Sequence, residues 1–298
     1  MEEEKNIYDV IIVGAGPAGL TSALFSVRDG LKTLVVARTL GGTANSILKL
    51  ENWPGYKGTG IELMKNFYEQ LKSYPIEVIV DDVQSVEKKG EGFVIKTSSK
   101  EFGTKTLILA TGTKRENKIP GEEKFVGKGV SYCATCDAFF FKDKTIAIVV
   151  WEDSSAEEII TLANLAQKVY VVCDKKFKAK RELKKVKKKI EIMNNSVLTE
   201  IKGEDKVQGL MIKDRKGEKE INVDGVFIVI GATPITEFAK KLKLKMNKEN
   251  FIVVNEGMET SVKGIFAAGD VINSTIKGVL TSSAQGAIAA KNAEEFLQ

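Results

Sequence analysis

The sequence predicts an α/β protein made of two strand–helix–strand halves, and three observations predict it. Tyr8–Val13 and Thr145–Val150 are short, continuous apolar runs of the kind a parallel strand buried on both faces requires. Each leads through a helical pattern to a second apolar run. The first passes through Leu20, Ala23, Leu24 and Val27 to Thr33–Ala37, the second through Glu157–Ala166 to Lys168–Cys173. A length of 298 residues leaves room for about two domains.

The first turn is Gly14-Ala15-Gly16-Pro17-Ala18-Gly19. Gly14 permits a tight turn, Gly16 lets backbone approach a pyrophosphate, and Gly19 lets helix and strand pack closely. The helix start then offers unpaired N–H groups and a positive dipole to the phosphates. Flanked by strand and helix, the pattern predicts a dinucleotide site; the alternative is a turn that merely needs three glycines. Gly30 ends the helix. An acid usually follows about twenty positions on, to bind the ribose 2′-OH. Here the second strand runs into Ala37-Arg38-Thr39, so the adenosine ribose must be held another way.

The second half repeats the shape with a different turn, Trp151-Glu152-Asp153-Ser154-Ser155. It has no glycine and two acids, which oppose a pyrophosphate. This half reads as a nucleotide-type domain whose site has decayed. Both halves are therefore expected to be Rossmann-like, three-layer ββα/βα nucleotide-binding-type domains. Thr106–Gly112 and Gly264–Asp270 are further strands ending in glycine turns. Asp270 reads as a hydroxyl-binding group, or else as a plain helix cap.

The chain has no histidine, which removes Ser-His-Asp triads, Cys-His proteases and His-containing zinc sites. The three cysteines are Cys133, Cys136 and Cys173. One Cys-x-x-Cys is too few ligands for structural zinc, so no metal is expected. Cys133-Ala134-Thr135-Cys136 can instead close a small reversible disulfide. Asp137 follows directly and is the natural acid–base group for the thiol, with a helix-cap role as the alternative. Cys173 ends an apolar run and reads as a buried small hydrophobe.

The net charge is +5, and ten basic residues against the single acid Glu182 lie between Lys175 and Lys189. That run suits an acidic protein partner through electrostatic steering, or is a solvated helix surface. Apart from Phe177 it lacks the interleaved aromatics of a nucleic-acid site, so no nucleic-acid partner is expected. No stretch is long and apolar enough to span a bilayer, and Met1–Lys5 lacks the features of a signal peptide. A cytoplasmic location without membrane partners is the expectation.

Together these motifs resemble the low-molecular-weight thioredoxin reductase family along nearly the whole chain. The residues that carry the likeness are Gly14–Gly19, Gly41-Gly42, Glu51-Asn52-Trp53-Pro54-Gly55, Ala110-Thr111-Gly112, Cys133-Ala134-Thr135-Cys136-Asp137 and Gly269-Asp270. The resemblance implies an FAD-binding domain from both chain ends, residues 1–116 and 233–298, with a dithiol-bearing NAD(P)H-type domain, 117–232, inserted between crossings near Asn117 and Ala232. It implies FAD held by Gly14, Gly16, Pro17, Ala18, Gly19, Gly41, Gly42, Asn52, Thr111, Gly112, Gly269, Asp270 and the segment Lys277-Gly278-Val279. It implies a homodimer, an inserted domain that rotates, Cys136 exchanging electrons with the flavin, and Cys133 attacking a thioredoxin-like or glutaredoxin-like disulfide with Asp137 as acid–base group.

The chain departs from the family in three places. Members that use NADPH carry a glycine-rich turn where this chain has Trp151–Ser155, a His-Arg-Arg cluster where it has Val172-Cys173-Asp174, and often an Arg-Gln pair where it has Lys277-Gly278-Val279. Lys175, Lys176 and Lys178 supply charge nearby without Arg's planar fork. The departures lead to the expectation of an FAD enzyme whose donor is not NADPH but a ferredoxin or a reduced deazaflavin. The alternatives are an NAD(P)H-dependent thioredoxin reductase with an atypical cofactor site and a flavin-dependent dithiol oxidase using O2.

Overall fold

The computed structural model describes residues 7–47, 49–114, 119–132, 134–150, 155–178, 181–229 and 233–298, without the side chains of Thr135 and Cys136. The chain folds into two compact units, Met1–Lys114 with Thr233–Gln298, and Arg115–Ala232.

The first unit begins with β1 (Ile7–Ala15), α1 (Pro17–Arg28), β2 (Thr33–Leu40), α2 (Gly60–Leu71) and β3 (Glu77–Val80). The strands β4 (Val83–Lys89), β5 (Gly92–Thr97), β6 (Glu101–Leu109) and β7 (Thr113–Lys114) follow. β1 lies at the centre, parallel to β2 on one side and β6 on the other, with Val10 opposite both Thr33 and Thr106. Its residues Val10, Ile11 and Ile12 are fully buried, as a strand covered on both faces requires. β3 adds to β2 in parallel, Ala37 facing Val80, while β4 and β5 form an antiparallel pair beside β6. A capping box starts α2: the Thr59 hydroxyl accepts from the Glu62 amide and the Glu62 carboxylate from the Thr59 amide.

The second unit contains α3 (Glu122–Phe125), β8 (Val130–Ser131), α4 (Ala134–Asp137), β9 (Thr145–Val150), α5 (Ala156–Leu165), β10 (Lys168–Cys173), β11 (Ile190–Asn194), β12 (Val197–Gly203), β13 (Val207–Asp214), β14 (Gly217–Asn222) and β15 (Gly225–Val229). A five-stranded parallel sheet, ordered β11-β10-β9-β15-β8, is accompanied by a three-stranded antiparallel sheet, β12-β13-β14. Ile146, Ile148 and Val150 pack with α5 on one face; Ala147 and Val149 pack with β12 and β13 on the other. Cys173 is buried in the first of these layers.

The chain then re-enters the first unit as β16 (Thr233–Pro234), β17 (Ile265–Ala267) and α6 (Val279–Leu297). β16 pairs antiparallel with β7, and β17 lies parallel to the end of β6, completing a seven-stranded sheet. α6 lies against α1. An added Cβ at Gly286 would sit 2.2 Å from the Ala18 carbonyl oxygen, and the Ser22 hydroxyl donates to the Gly286 carbonyl at 2.9 Å. Both units have the three-layer, Rossmann-type architecture anticipated from the sequence.

Candidate functional site

The glycines of the first turn divide into two kinds. Gly14 has φ +110°, and an added Cβ would lie 2.2 Å from the Ala110 carbonyl oxygen; at Gly19 it would lie 1.8 Å from that of Gly14. These two are bare because protein backbone fills the space. Gly16 has an ordinary φ of −80°, and its added Cβ would meet nothing nearer than the Gly41 carbonyl oxygen at 4.0 Å. Gly112 also meets nothing within 4 Å, but its φ of +66° by itself calls for glycine. Packing does not require Gly16 to be bare, so the space beside it is kept for a ligand. α1 starts at Pro17 with no side chain capping it, and its first-turn amides point to the same place. These positions fit the pyrophosphate of a dinucleotide.

The space is a cavity of about 510 Å³. Gly14, Gly16, Pro17, Ala18, Gly42, Thr111, Gly112, Gly269 and Asp270 line it. Gly19, Gly41, Asn52, Lys277, Gly278 and Val279 are not among its lining residues; Asn52 sits on an exposed turn. Lys277 places its ammonium 3.5 Å from the Phe251 ring centroid and donates to the Asp270 carbonyl at 3.3 Å.

Asp270 is not a helix cap. It lies within the short 3-10 turn Gly269–Val271, whose cap position is Ala268. Burial raises its carboxyl above the ordinary value, while Lys277 and a hydrogen bond with the Ser282 hydroxyl pull the other way. Gln285 of α6 accepts the Gly269 amide at 3.0 Å and steadies the turn. The sequence reading missed Ser282 and Gln285, because nothing in a helix pattern marks which residue meets a turn far away in sequence.

It also missed what stands at the end of β2. The parallel pairing of Ala37 with Val80 brings Asp81 and Asp82 beside Arg38, and all three line the cavity. Asp81 accepts from the Ser99 hydroxyl at 2.6 Å and the Asp82 amide at 2.7 Å. The hydroxyls of Ser99 and Thr97, with that amide, hold its carboxyl well below the usual carboxylate range.

In the second unit, Ala134 and Ala138 anchor the short dithiol helix α4 in the core beside Ile159 of α5. Phe141 meets Phe227 edge to face at 5.1 Å, in space that Gly225 leaves open. Cys133 and the Cys136 side chain lie outside the described residues. Asp137 begins the turn Ala138–Phe141 without capping it; the Ser131 hydroxyl donates to its carboxylate at 2.6 Å. Just before Cys133, the Tyr132 hydroxyl donates to buried Glu122 at 2.7 Å. Phe139, directly after this helix, is 70% exposed.

The residues Trp151–Ser154, on which the expectation of a decayed nucleotide site rested, lie outside the described residues, as do Asn117, Lys180 and Ala232. The frame around that turn is described. β9, α5 and β10 form a regular parallel βαβ unit, with Thr145–Val150 in unbroken register with Lys168–Cys173. Among the described residues, no group of metal-ligating side chains occurs and no helix is long and apolar enough to cross a membrane.

The family model of the pyridine nucleotide-disulphide oxidoreductases matches residues 8–286. The thioredoxin reductase of Aquifex aeolicus (strain VF5) is 42% identical over 313 residues, covering 100% of this chain and 95% of the relative. That of Bacillus subtilis (strain 168) is 37% identical over 308 residues, covering 100% and 97%. The crystal structure of thioredoxin reductase from Streptococcus pyogenes superposes with a TM-score of 0.91 at 35% identity, covering 99% of each chain.

These findings correct one expectation. A donor other than NADPH, a ferredoxin or a reduced deazaflavin, was inferred from the side chains of one five-residue turn, from Val172-Cys173-Asp174 and from Lys277-Gly278-Val279. The matching family is named for a pyridine nucleotide, its model spans residues 8–286 and so the second unit, and the strands β9 and β10 there pair in parallel in regular register. Side-chain identity in the turn was weighed too heavily against the strand–helix–strand frame in which the turn stands. The doubt about NADPH falls with it. The chain belongs to the thioredoxin reductase family of FAD-dependent pyridine nucleotide-disulphide oxidoreductases.

Proposed function

We propose that the chain reduces the disulfide of a thioredoxin-like protein with electrons taken from NAD(P)H through FAD. The observation that carries the reading is the pairing, in one chain, of a dinucleotide cleft with a bare position at Gly16 and a dithiol helix whose Asp137 is oriented by Ser131. FAD in the cleft supplies a two-electron carrier between nicotinamide and disulfide. Gly16, Pro17 and Ala18 at the start of α1 would hold its pyrophosphate, and Asp270 would take a cofactor hydroxyl. Lys175 and Lys176, exposed just beyond β10, supply positive charge where a nucleotide 2′-phosphate would lie.

In the second unit Cys136 would be the cysteine that faces bound FAD, and Cys133 the one that attacks the partner disulfide to form a mixed disulfide that Cys136 resolves. Asp137 holds or delivers the thiol proton in a chain that has no histidine for the task. Exposed Phe139 gives the partner an apolar contact beside the dithiol. The chain is further proposed to form a homodimer through the first unit, where Leu280 and Ile288 stay exposed on α6.

The test is spectroscopic. The yellow protein is mixed anaerobically with NADPH or NADH, then with oxidised thioredoxin. Bleaching of the flavin followed by recovery is expected. In Cys136→Ser, bleaching should persist and recovery by thioredoxin should be lost. A flavin that neither nicotinamide bleaches would overturn the donor assignment, and unchanged turnover in Cys136→Ser would overturn the electron route.

A further inference from the structure

The end of β2, where related folds place an acid for the adenosine ribose, carries Arg38 instead. Arg38 is largely exposed but not loose. Its Nε donates to one oxygen of Asp82 at 2.5 Å and its Nη2 to the other at 2.7 Å, a two-point fork that fixes the guanidinium plane. Asp82 is itself fixed: Gln84 Nε2 donates to it at 3.0 Å and to the Ser98 hydroxyl at 3.1 Å. The neighbouring acid, Asp81, is engaged by Ser99 and the Asp82 amide. Asp81 and Asp82 are thus committed to protein partners, and the third acid of this end, Glu237, whose charge is felt by Arg38, pairs with Lys114 at 3.2 Å. Among the described residues no hydrogen bond takes up the remaining edge of Arg38, Nη1, or the two flat faces of its guanidinium, which leaves them to a ligand.

We propose that Arg38, locked by Asp82, is the adenosine-recognition residue of the FAD cleft, replacing the acid–ribose contact with a planar cation that packs on the adenine. The position follows from the fold. The pyrophosphate lies at the Gly14–Gly19 turn, and the end of β2 is one nucleoside away on the adenosine side. A guanidinium held flat loses little freedom when an aromatic base packs on it, and its charge favours the contact. Asp82 then acts as a positioning residue and Arg38 as a cofactor-contacting one. The inference rests on FAD being the ligand of this cavity.

Binding of FAD and of FMN to the full-length chain tests it, read as the fluorescence of flavin released from the holoprotein on dilution and by exchange against the other flavin. FMN shares the isoalloxazine and ribityl phosphate and lacks the adenosine. Arg38→Ala should weaken FAD roughly tenfold and leave FMN unchanged. Arg38→Lys should fail to restore FAD, because an ammonium has no plane. Asp82→Asn should weaken FAD by less than Arg38→Ala. The proposal is overturned if Arg38→Ala holds FAD as tightly as the parent, if FMN weakens in parallel, if Arg38→Lys fully restores binding, or if Asp82→Asn is the more damaging change, which would make the carboxylate the ribose ligand. A parent protein that binds no FAD would instead sink the cofactor reading itself, so the two failures are distinguishable.

Discussion

Ser131 donates its hydroxyl hydrogen bond to the Asp137 carboxylate at 2.6 Å, tying the strand that leads into the dithiol to the end of the dithiol helix. Ser131 is buried, so the bond is partly shielded from water and fixes the carboxylate's direction. Ser131→Ala should therefore slow thioredoxin turnover about tenfold, and Asp137→Asn about a hundredfold. FAD content and bleaching by nicotinamide should be unchanged in both. Stopped-flow traces of flavin reduction and reoxidation separate the two halves of the reaction. Normal reoxidation in Asp137→Asn would remove that residue from the proton path.

The two kinds of glycine in the first turn predict opposite phenotypes. Gly19→Ala puts a methyl group against the Gly14 carbonyl, and backbone on both sides cannot yield. It should destabilise the fold by about 3 kcal/mol or more. Gly16→Ala meets no protein atom and should leave thermal stability within about 0.5 kcal/mol of the parent, while FAD is lost. Thermal melts of the cofactor-free proteins and flavin absorbance check the pair. A Gly16→Ala protein that stays yellow would place the pyrophosphate elsewhere.

Phe139 should act on the partner and not on the flavin. Its ring is 70% exposed, just beyond α4, an arrangement that burial energetics alone do not favour. Phe139→Ala should raise KM for thioredoxin roughly tenfold, with bleaching by nicotinamide unaltered. Steady-state kinetics over a range of thioredoxin concentrations gives the answer, and an unchanged KM would exclude this face from docking.

Asp270 predicts a pH effect with a definite sign. Burial raises its carboxyl in the folded protein, so the folded state holds the proton more tightly than the unfolded chain, whose value is the ordinary 3.8. Its stabilising contribution is complete below 3.8 and is lost as pH rises through the raised folded value. Asp270→Asn removes the buried charge, so the cofactor-free variant should melt above the parent at neutral pH, the gap closing as pH falls. FAD should bind it about tenfold or more weakly, since a charged acceptor is lost. Melts across pH give the first result and flavin release the second. A gap that widens on acidification would contradict the buried-charge account.

The strands that build the centre of each unit were legible because a parallel strand covered on both faces must be apolar throughout. Thr145–Val150 and Lys168–Cys173 run where the pattern puts them. The antiparallel pieces were not. β14 is exposed along most of its length, and β4 alternates Val83 and Val86 with Gln84, Ser85 and charged residues, leaving little periodicity to read. Nor does position along the chain show that Asp82 meets Arg38. That contact depends on β3 pairing with β2 across the intervening α2. The cap readings of Asp137 and Asp270 failed to apply for a related reason: an Asp before a turn looks the same in sequence whether its oxygens face its own backbone or a distant hydroxyl. The donor expectation erred by treating local side chains as the whole of a binding frame.

The contact of Gly286 with Ala18, and the presence of Gly269, Asp270 and Ser282 in the cleft wall, bear on how the protein is made. A ribosome delivers β1 and α1 first, and the residues that complete their cleft leave the exit tunnel only after the whole second unit. A nascent chain can present its phosphate turn early yet has no wall to close around a flavin. Holoprotein assembly is therefore a late event, and cells starved of riboflavin should accumulate full-length but open-clefted chains exposed to proteolysis.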